Sequence, residues 1–310
     1  METSFSAFAP ASLSNLGPGF DSLGIGLSTW KDEVRVVLIQ EPNFSVSFDP
    51  TGCWSGPIDP FRNTASVSAM HVATKAGYEG GARMTIQKGV RAGSGLGSSA
   101  ASAVAGALAM NAALGSPFSK TELIASCLAG ESVVSGAVHG DNVLPSLMGG
   151  IVLVEPDSPT TFQHIQTSCL LHFAILLPNI EVFTEEARSL LPDHVSLHSA
   201  AIWASRLAQL VLAISNGDLS RIGQLVMEDD IVEPVRARLI KPYRDIKLAA
   251  LKEGALGCAL SGSGPAMFAV CDSEDSALRI SKSMHLACMR HHIESLAISD
   301  HVNFVGAFSN

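Results

Sequence analysis

The sequence has no GxxxxGK[ST] run, so the P-loop lysine and its linked Ser/Thr magnesium ligand are absent, and no HRD or DFG set occurs either. Its ten histidines and six cysteines show no HExxH, no CxxC and no regular Cys/His spacing, which argues against a structural zinc site. Charge is sparse. Twenty Lys plus Arg stand against 29 Asp plus Glu, a net −9 with no basic block, and such a field repels nucleic acid and anionic membrane. The N-terminal residues lack the charge-then-apolar order of a signal peptide, because Pro10, Asn15, Gly17 and Pro18 interrupt any apolar run. The most apolar stretch, Ala100 to Leu114, is broken by Asn111 and is too short to cross a bilayer. A cytoplasmic protein without nucleic-acid or membrane partners is expected. Cys53, Cys127, Cys169, Cys258, Cys271 and Cys288 sit among apolar or small residues and read as reduced core residues.

What is present suffices for a large core: 47% of 310 residues are hydrophobic, and the length suggests two domains. Val34 to Ile39 and Phe44 to Phe48 read as strands of a hairpin turning at Glu41-Pro42-Asn43. Thr64 to Ala76 reads as a helix capped by Asn63 or Thr64 and closed by Gly77, and Ala82 to Lys88 as a strand with Met84 and Ile86 on one face. Ser98 to Leu114 is a small-residue helix ending at Gly115. Ser119 to Glu122 form a capping box for a helix reaching about Val134, and a strand follows at Ile151 to Glu155. After a boundary near 156 to 168, placed on Pro156, Pro159 and the polar residues between them, come a strand (His172 to Leu177) and four helices (Glu185 to Leu191, Ala200 to Ser215, Leu219 to Met227, Tyr243 to Glu253). Strands at Leu256 to Ser261 and Ala266 to Cys271, a helix at Asp275 to Met289 and a strand at Ile293 to Ile298 complete the chain. Segregated strands around a central β-turn-β indicate an α+β, ferredoxin-like second half.

The segment Gly93-Ser94-Gly95-Leu96-Gly97-Ser98-Ser99 carries the first chemical hint. Its glycines permit a tight turn and close backbone approach, and Ser98 and Ser99 open a helix whose free N–H groups favour an anion. Taken alone, the pattern equally describes a turn leading into a packed Ala-rich helix. It lacks the GxGxxG spacing of a dinucleotide site.

Followed by Ala100-Ala101, the loop resembles the central motif of the GHMP kinases. Two more segments are similar to that family and occur in its order: Ala9 to Asp21, which reads APASLSNLGPGFD, and Leu260-Ser261-Gly262-Ser263-Gly264-Pro265. Together the resemblance spans almost the whole chain. It implies an α+β two-domain architecture, with a ribosomal-protein-S5-like, ATP-binding α/β domain over 1–160 and a ferredoxin-like domain over 161–310. Within the superfamily, the N-terminal run, His139-Gly140-Asp141-Asn142, Thr184 to Arg188 and Glu233-Pro234-Val235-Arg236 are most similar to the homoserine kinases. The resemblance then implies ATP-dependent phosphorylation of L-homoserine to O-phosphohomoserine, on the route to threonine, by a homodimer.

Residue roles follow from the same resemblance. Asp21 and Asp141 would bind the substrate ammonium with Asn15 nearby, and Arg188 and Arg236 would hold its carboxylate, where the guanidinium fork suits bidentate pairing. Arg238 is a competing cation two places on. Ser99 and Glu131 match the family's magnesium ligands, a hard-oxygen pair; an isolated Glu would otherwise be a solvated helix residue. Gly93, Ser94, Gly95, Leu96, Gly97, Ser98 and Ser99 would hold ATP, with Asn63 on the adenine side or serving only as a helix cap. Asn142 stands where mevalonate-type relatives carry a proposed catalytic Asp; an amide is no base, so it would orient the hydroxyl, leaving Asp141 as the possible base. His139 touches substrate or packs beside the acids, Thr184 caps a helix or reaches the pocket, and Gly262 belongs to a hairpin turn or to a loop over the site. Arg91-Ala92 replaces a frequent proline, and Ser12-Leu13 replaces a more frequent Thr and small residue. Two other functions stay open: another GHMP kinase acting on mevalonate or a sugar, and a catalytically silent nucleotide-binding relative.

Overall fold

The computed structural model describes residues 3–135 and 139–310. The chain opens with β1 (Phe5–Asn15) and β2 (Gly19–Ile39), paired antiparallel with register shifts between Pro10 and Ser12 and between Ser14 and Asn15. These shifts bend β2. Its first part (Leu23 to Ile25) pairs β5 (Ile151–Glu155), and its last part (Glu33 to Ile39) pairs β4 (Gly81–Gln87). The expected hairpin does not form: β3 (Phe44–Phe48) lies parallel to β4 on its far side, because β4 already occupies the edge of β2. Alternation of Phe44, Val46 and Phe48 fixed the strand but carried no information about its neighbour.

Four helices pack on this sheet: α1 (Thr64–Lys75), α2 (Ser98–Ala113), α3 (Lys120–Ser135) and α4 (Gly140–Met148). Every residue of α2 from Ala100 to Asn111 is buried, as expected of a helix apolar on all sides. Small residues let these helices approach closely. A Cβ on Gly130 would lie 2.5 Å from the Thr64 carbonyl, so only glycine seats α3 against α1 here, and the next residue is Glu131. Helix α4 escapes sequence reading because Pro145 interrupts it and its first residues look like a loop motif. The polar strand β6 (Ser158–His164) pairs β5 inside the stretch read as a boundary; its largely exposed side chains offer no apolar alternation.

The second sheet is antiparallel, in the order β10-β7-β9-β8, from β7 (His172–Pro178), β8 (Gly257–Leu260), β9 (Met267–Cys271) and β10 (Ser295–His301). Period-2 alternation divides β7 cleanly. Ala174 and Leu176 join a core with Ile246 of α9 (Tyr243–Lys252) and Ile280 and Met284 of α10 (Glu274–Met289). Phe173, Ile175 and Leu177 face the other way, into a core containing Leu13, Ile25 and Leu96 of the first half. One apolar layer therefore joins the halves. Between β7 and α9 run α5 (Thr184–Ser189), α6 (Leu197–Asn216), α7 (Leu219–Leu225) and the one-turn α8 (Glu233–Arg236), and β11 (Phe308–Ser309) returns to pair β1.

Helix α6 is, by length and composition alone, apolar enough to cross a membrane, which the reading of Ala100 to Leu114 as the most apolar stretch overlooked. Its polar groups are nevertheless engaged within the fold: the Trp203 indole N–H donates to the Pro18 carbonyl, and Arg206 pairs with Glu228 and Asp230. All six cysteines are free, but Cys53 is exposed and Cys169 partly so, correcting their placement in the core.

Candidate active site

The three separated motifs meet at the loop between β4 and α2. Gly93, Gly95 and Gly97 all take positive φ, and Gly97 has a second reason to be glycine. A Cβ there would lie 2.2 Å from the Ser12 hydroxyl and 2.9 Å from the Asn142 amide oxygen. The C-terminal motif closes on the loop from the other side: the Ser261 hydroxyl donates to the Gly95 carbonyl (2.7 Å), and the Ala266 N–H donates to the Ser94 carbonyl (3.0 Å). The N-terminal motif joins both through Ser12 N–H to the Leu96 carbonyl (3.1 Å) and Gly262 N–H to the Ser14 carbonyl (3.1 Å).

These contacts enclose a cavity of about 310 Å³. Gly93, Ser94, Gly95, Gly97, Ser98 and Ser99 line it, all but Leu96 of the expected loop. The Leu96 side chain turns away and is 1% exposed in the apolar layer between the halves, so it anchors the loop from behind. Asn63 lines the cavity and also caps α1, its side-chain oxygen accepting from Ser66 N–H, so the cap does not remove it from the cavity wall. Thr184 lines the cavity but caps nothing; Phe183 occupies the N-cap position of α5. His139, Asn142, Glu131 and Gly262 complete the set of expected residues on the wall.

Glu131, 6% exposed, accepts a hydrogen bond from Ser99 Oγ (2.9 Å). Burial pushes its carboxyl up to about 8, the Ser99 bond opposing and the Asp141 charge adding to the rise. An acid so desolvated, beside a hydroxyl at the start of a helix, is a hard-oxygen pair that would suit a hard cation. Among the described residues no cluster of three or more His, Cys, Asp or Glu could hold a metal by itself.

The acceptor side is assembled from side chains. Asn15 (φ 73°), Leu16 (φ 49°) and Asp21 (φ 56°) occupy the left-handed region, strain of the kind that concentrates at functional sites. Asn15 bridges the turn to the C-terminal motif, accepting from Asp21 N–H (3.2 Å) and donating to the Gly262 carbonyl (3.1 Å). Both Asp21 carboxylate oxygens accept from Arg188 Nη2 at 2.9 Å, so an acid and a base expected to hold opposite ends of a substrate are paired with each other here. Arg236, 3% exposed, donates to the Gly262 carbonyl (2.9 Å), whereas Arg238 is exposed, so of the two it is Arg236 that points inward. The Nε donors of Arg188 and Arg236 and Nε2 of His139 are buried without a hydrogen-bond partner among the described residues. Burial lowers Arg236 to about 10 and lowers His139 as well, while burial and the Asp21 charge raise Asp141 to about 7. Asn142 is held by three partners: it accepts from Ser12 Oγ (2.9 Å) and donates to Ser14 Oγ (3.1 Å) and Asp141 Oδ1 (3.3 Å).

Comparison with known proteins decides the family. The family models "GHMP kinases N terminal domain" and "GHMP kinases C terminal" match residues 63–150 and 210–288. The chain is 38% identical over 289 residues to a homoserine kinase of Chloroherpeton thalassium, covering 89% of this chain and 90% of that one. It is 37% identical to one from Pyrococcus abyssi, covering 85% and 86%. This chain belongs to the homoserine kinases of the GHMP superfamily. A crystal structure of the Cytophaga hutchinsonii homoserine kinase superposes with a TM-score of 0.93 at 36% identity, covering 100% of this chain and 98% of that one.

Against that family background, three supports of the site were not read from the sequence. Ser12 and Ser14 orient Asn142, although both lie in the quoted N-terminal motif. Lys88, also on the cavity wall, is 6% exposed and pairs with the fully buried Asp32, while its ammonium donates to Ser98 O (3.0 Å), Ser98 Oγ (2.7 Å) and Ser102 Oγ (2.9 Å). Asp32 also accepts from the N–H groups of Gly89 and Val90, both at 2.9 Å. A signal existed: Asp32 falls in the alternation of buried Val34 and Val36, and Lys88 in that of Ala82, Met84 and Ile86. Two opposite charges at inward positions of paired strands imply a buried pair. Finally, Glu233 accepts from Leu260 N–H (3.0 Å), Lys247 Nζ (2.7 Å) and the Tyr243 hydroxyl, tying α8 to β8 and so placing Arg236.

Proposed function

We propose that this chain transfers the γ-phosphoryl group of ATP to the side-chain hydroxyl of L-homoserine, giving O-phosphohomoserine for threonine biosynthesis. The observation that carries the reading is the pair of arginines whose buried Nε donors have no partner among the described residues, set with Asp21 and Asp141 directly behind His139, Asn142 and Gly262 of the cavity wall. An α-amino acid needs a cationic fork at one end and carboxylates at the other. Arg188 and Arg236 take the carboxylate, and Asp21 and Asp141 take the ammonium, with Asn15 and His139 holding that corner. ATP lies along the loop, its phosphates at the amides opening α2 and its base toward Asn63. Ser99 and Glu131 would hold magnesium, which when bound neutralises charge on the phosphates. Asn142, fixed by Ser12 and Ser14, orients the hydroxyl for in-line transfer, and Gly262 closes the site. Phosphoryl transfer through a loose transition state rests mainly on such positioning.

A second reading for Asp141, as the proton acceptor, is favoured by its rise to about 7 and its bond to Asn142. The variant Asp141→Asn separates the two: an ammonium ligand shows in the homoserine KM, a base in kcat. The family also supports a homodimer, a cytoplasmic location and a division into an ATP-binding half and a ferredoxin-like half, with the divide after β6 and not near residue 160, since β6 pairs with the first sheet. ADP release with magnesium and ATP, offered homoserine, mevalonate, galactose or serine, tests the assignment; turnover of another acceptor with none of homoserine overturns it.

A further inference from the structure

Both carboxylate-directed guanidiniums lie over one aromatic ring. The Cζ of Arg188 is 5.4 Å and that of Arg236 5.1 Å from the centroid of Phe20. These arginines come from α5 and α8, 48 positions apart, and share no hydrogen bond that would set their spacing. Each has a terminal nitrogen fixed elsewhere, Arg188 on Asp21 and Arg236 on the Gly262 carbonyl. The two like charges, Arg236 buried and Arg188 half-buried, repel, and the Arg188 charge contributes to lowering the Arg236 pKa. An aromatic face is the apolar surface that attracts a guanidinium, so one ring touching both offsets part of that repulsion. The ring is itself braced. Trp203 of α6 packs on it at 6.3 Å between centroids, and the Trp203 indole donates to the Pro18 carbonyl in the same turn.

We propose that Phe20 is a positioning residue that sets the two guanidiniums as a carboxylate fork before the amino acid arrives, with Trp203 holding the ring. The proposal rests on the reading of Arg188 and Arg236 as carboxylate ligands. It is tested with Phe20→Leu and Phe20→Tyr, using L-homoserine and 3-aminopropan-1-ol, which is homoserine without its carboxylate. Each ligand is measured as a substrate or as a competitive inhibitor against homoserine.

With Phe20→Leu the homoserine KM rises about tenfold, the size expected for the loss of one to two cation–π contacts. The KM for ATP, the kcat and the affinity for 3-aminopropan-1-ol change less than about twofold, and Phe20→Tyr restores the wild-type homoserine KM. Equal weakening of both ligands, or an unchanged homoserine KM in Phe20→Leu, overturns the positioning role. If the wild-type enzyme binds 3-aminopropan-1-ol as tightly as homoserine, the arginine assignment itself fails, which is a different result from failure of Phe20 alone.

Discussion

The two ends of the cleft are built differently. The ATP end is backbone: a glycine loop, the amides opening α2, and a buried Lys88–Asp32 pair whose hydrogen bonds are met within the protein. The acceptor end is side chain: acids and arginines from β2, α4, α5 and α8, with buried donors left over and pKa values displaced. A satisfied network is stable without ligand; an unsatisfied one leaves donors for a ligand to meet. The ATP end should therefore fail through stability, and the acceptor end through KM.

The sharpest break comes from Lys88→Met. It leaves Asp32 charged and fully buried, at a cost of about 3–5 kcal/mol. Urea unfolding should show this loss, and Asp32→Asn in the same chain should recover part of it; unchanged stability would mean that the ATP end is not held by this pair. Glu131→Gln comes next, lowering kcat on the order of 10²–10³-fold by removing the proposed metal ligand, as read in magnesium titrations of the rate. At the other end, Arg188→Ala should raise the homoserine KM by roughly 10²-fold, since it removes the proposed carboxylate ligand and frees Asp21, with ATP affinity nearly intact. Equal loss of both affinities would dissolve the distinction between the ends.

The smallest effect is one of pH. The carboxyl of Asp141 rises from 3.8 to about 7, so between those values the folded chain keeps a proton that the unfolded chain has released. Stability of the ligand-free protein therefore falls as pH climbs through that window. Asp141→Asn should match the parent near pH 4 and exceed it by on the order of 2 kcal/mol at pH 8, while binding homoserine worse. Thermal unfolding at the two pH values checks this.

Much of the second half was legible because its strands and helices carry clean periodicity, as in β7, β9 and α10. In the first half the strands β1 and the opening of β2 were read as a motif and not as sheet, because their small buried residues, from Ala9 to Leu16, do not alternate. Among the candidate site residues, Leu96 turned inward because the loop that presents amides on one side must anchor on the other. Thr184 lost its capping role because α5 begins one residue earlier than its acids suggest.

By itself the sequence determined the reaction class, since three motifs in order and a Ser–Glu pair require only local turns and a helix start. It also named Asp21, Asp141, Arg188 and Arg236, charged residues that the fold brings together. Only the tertiary structure decided which of them meet: that Arg236 and not Arg238 points inward, that Ser12 and Ser14 orient Asn142, and that Phe20 lies under both arginines. Those facts depend on sheet register and helix packing over separations of more than a hundred residues, where local periodicity carries no information.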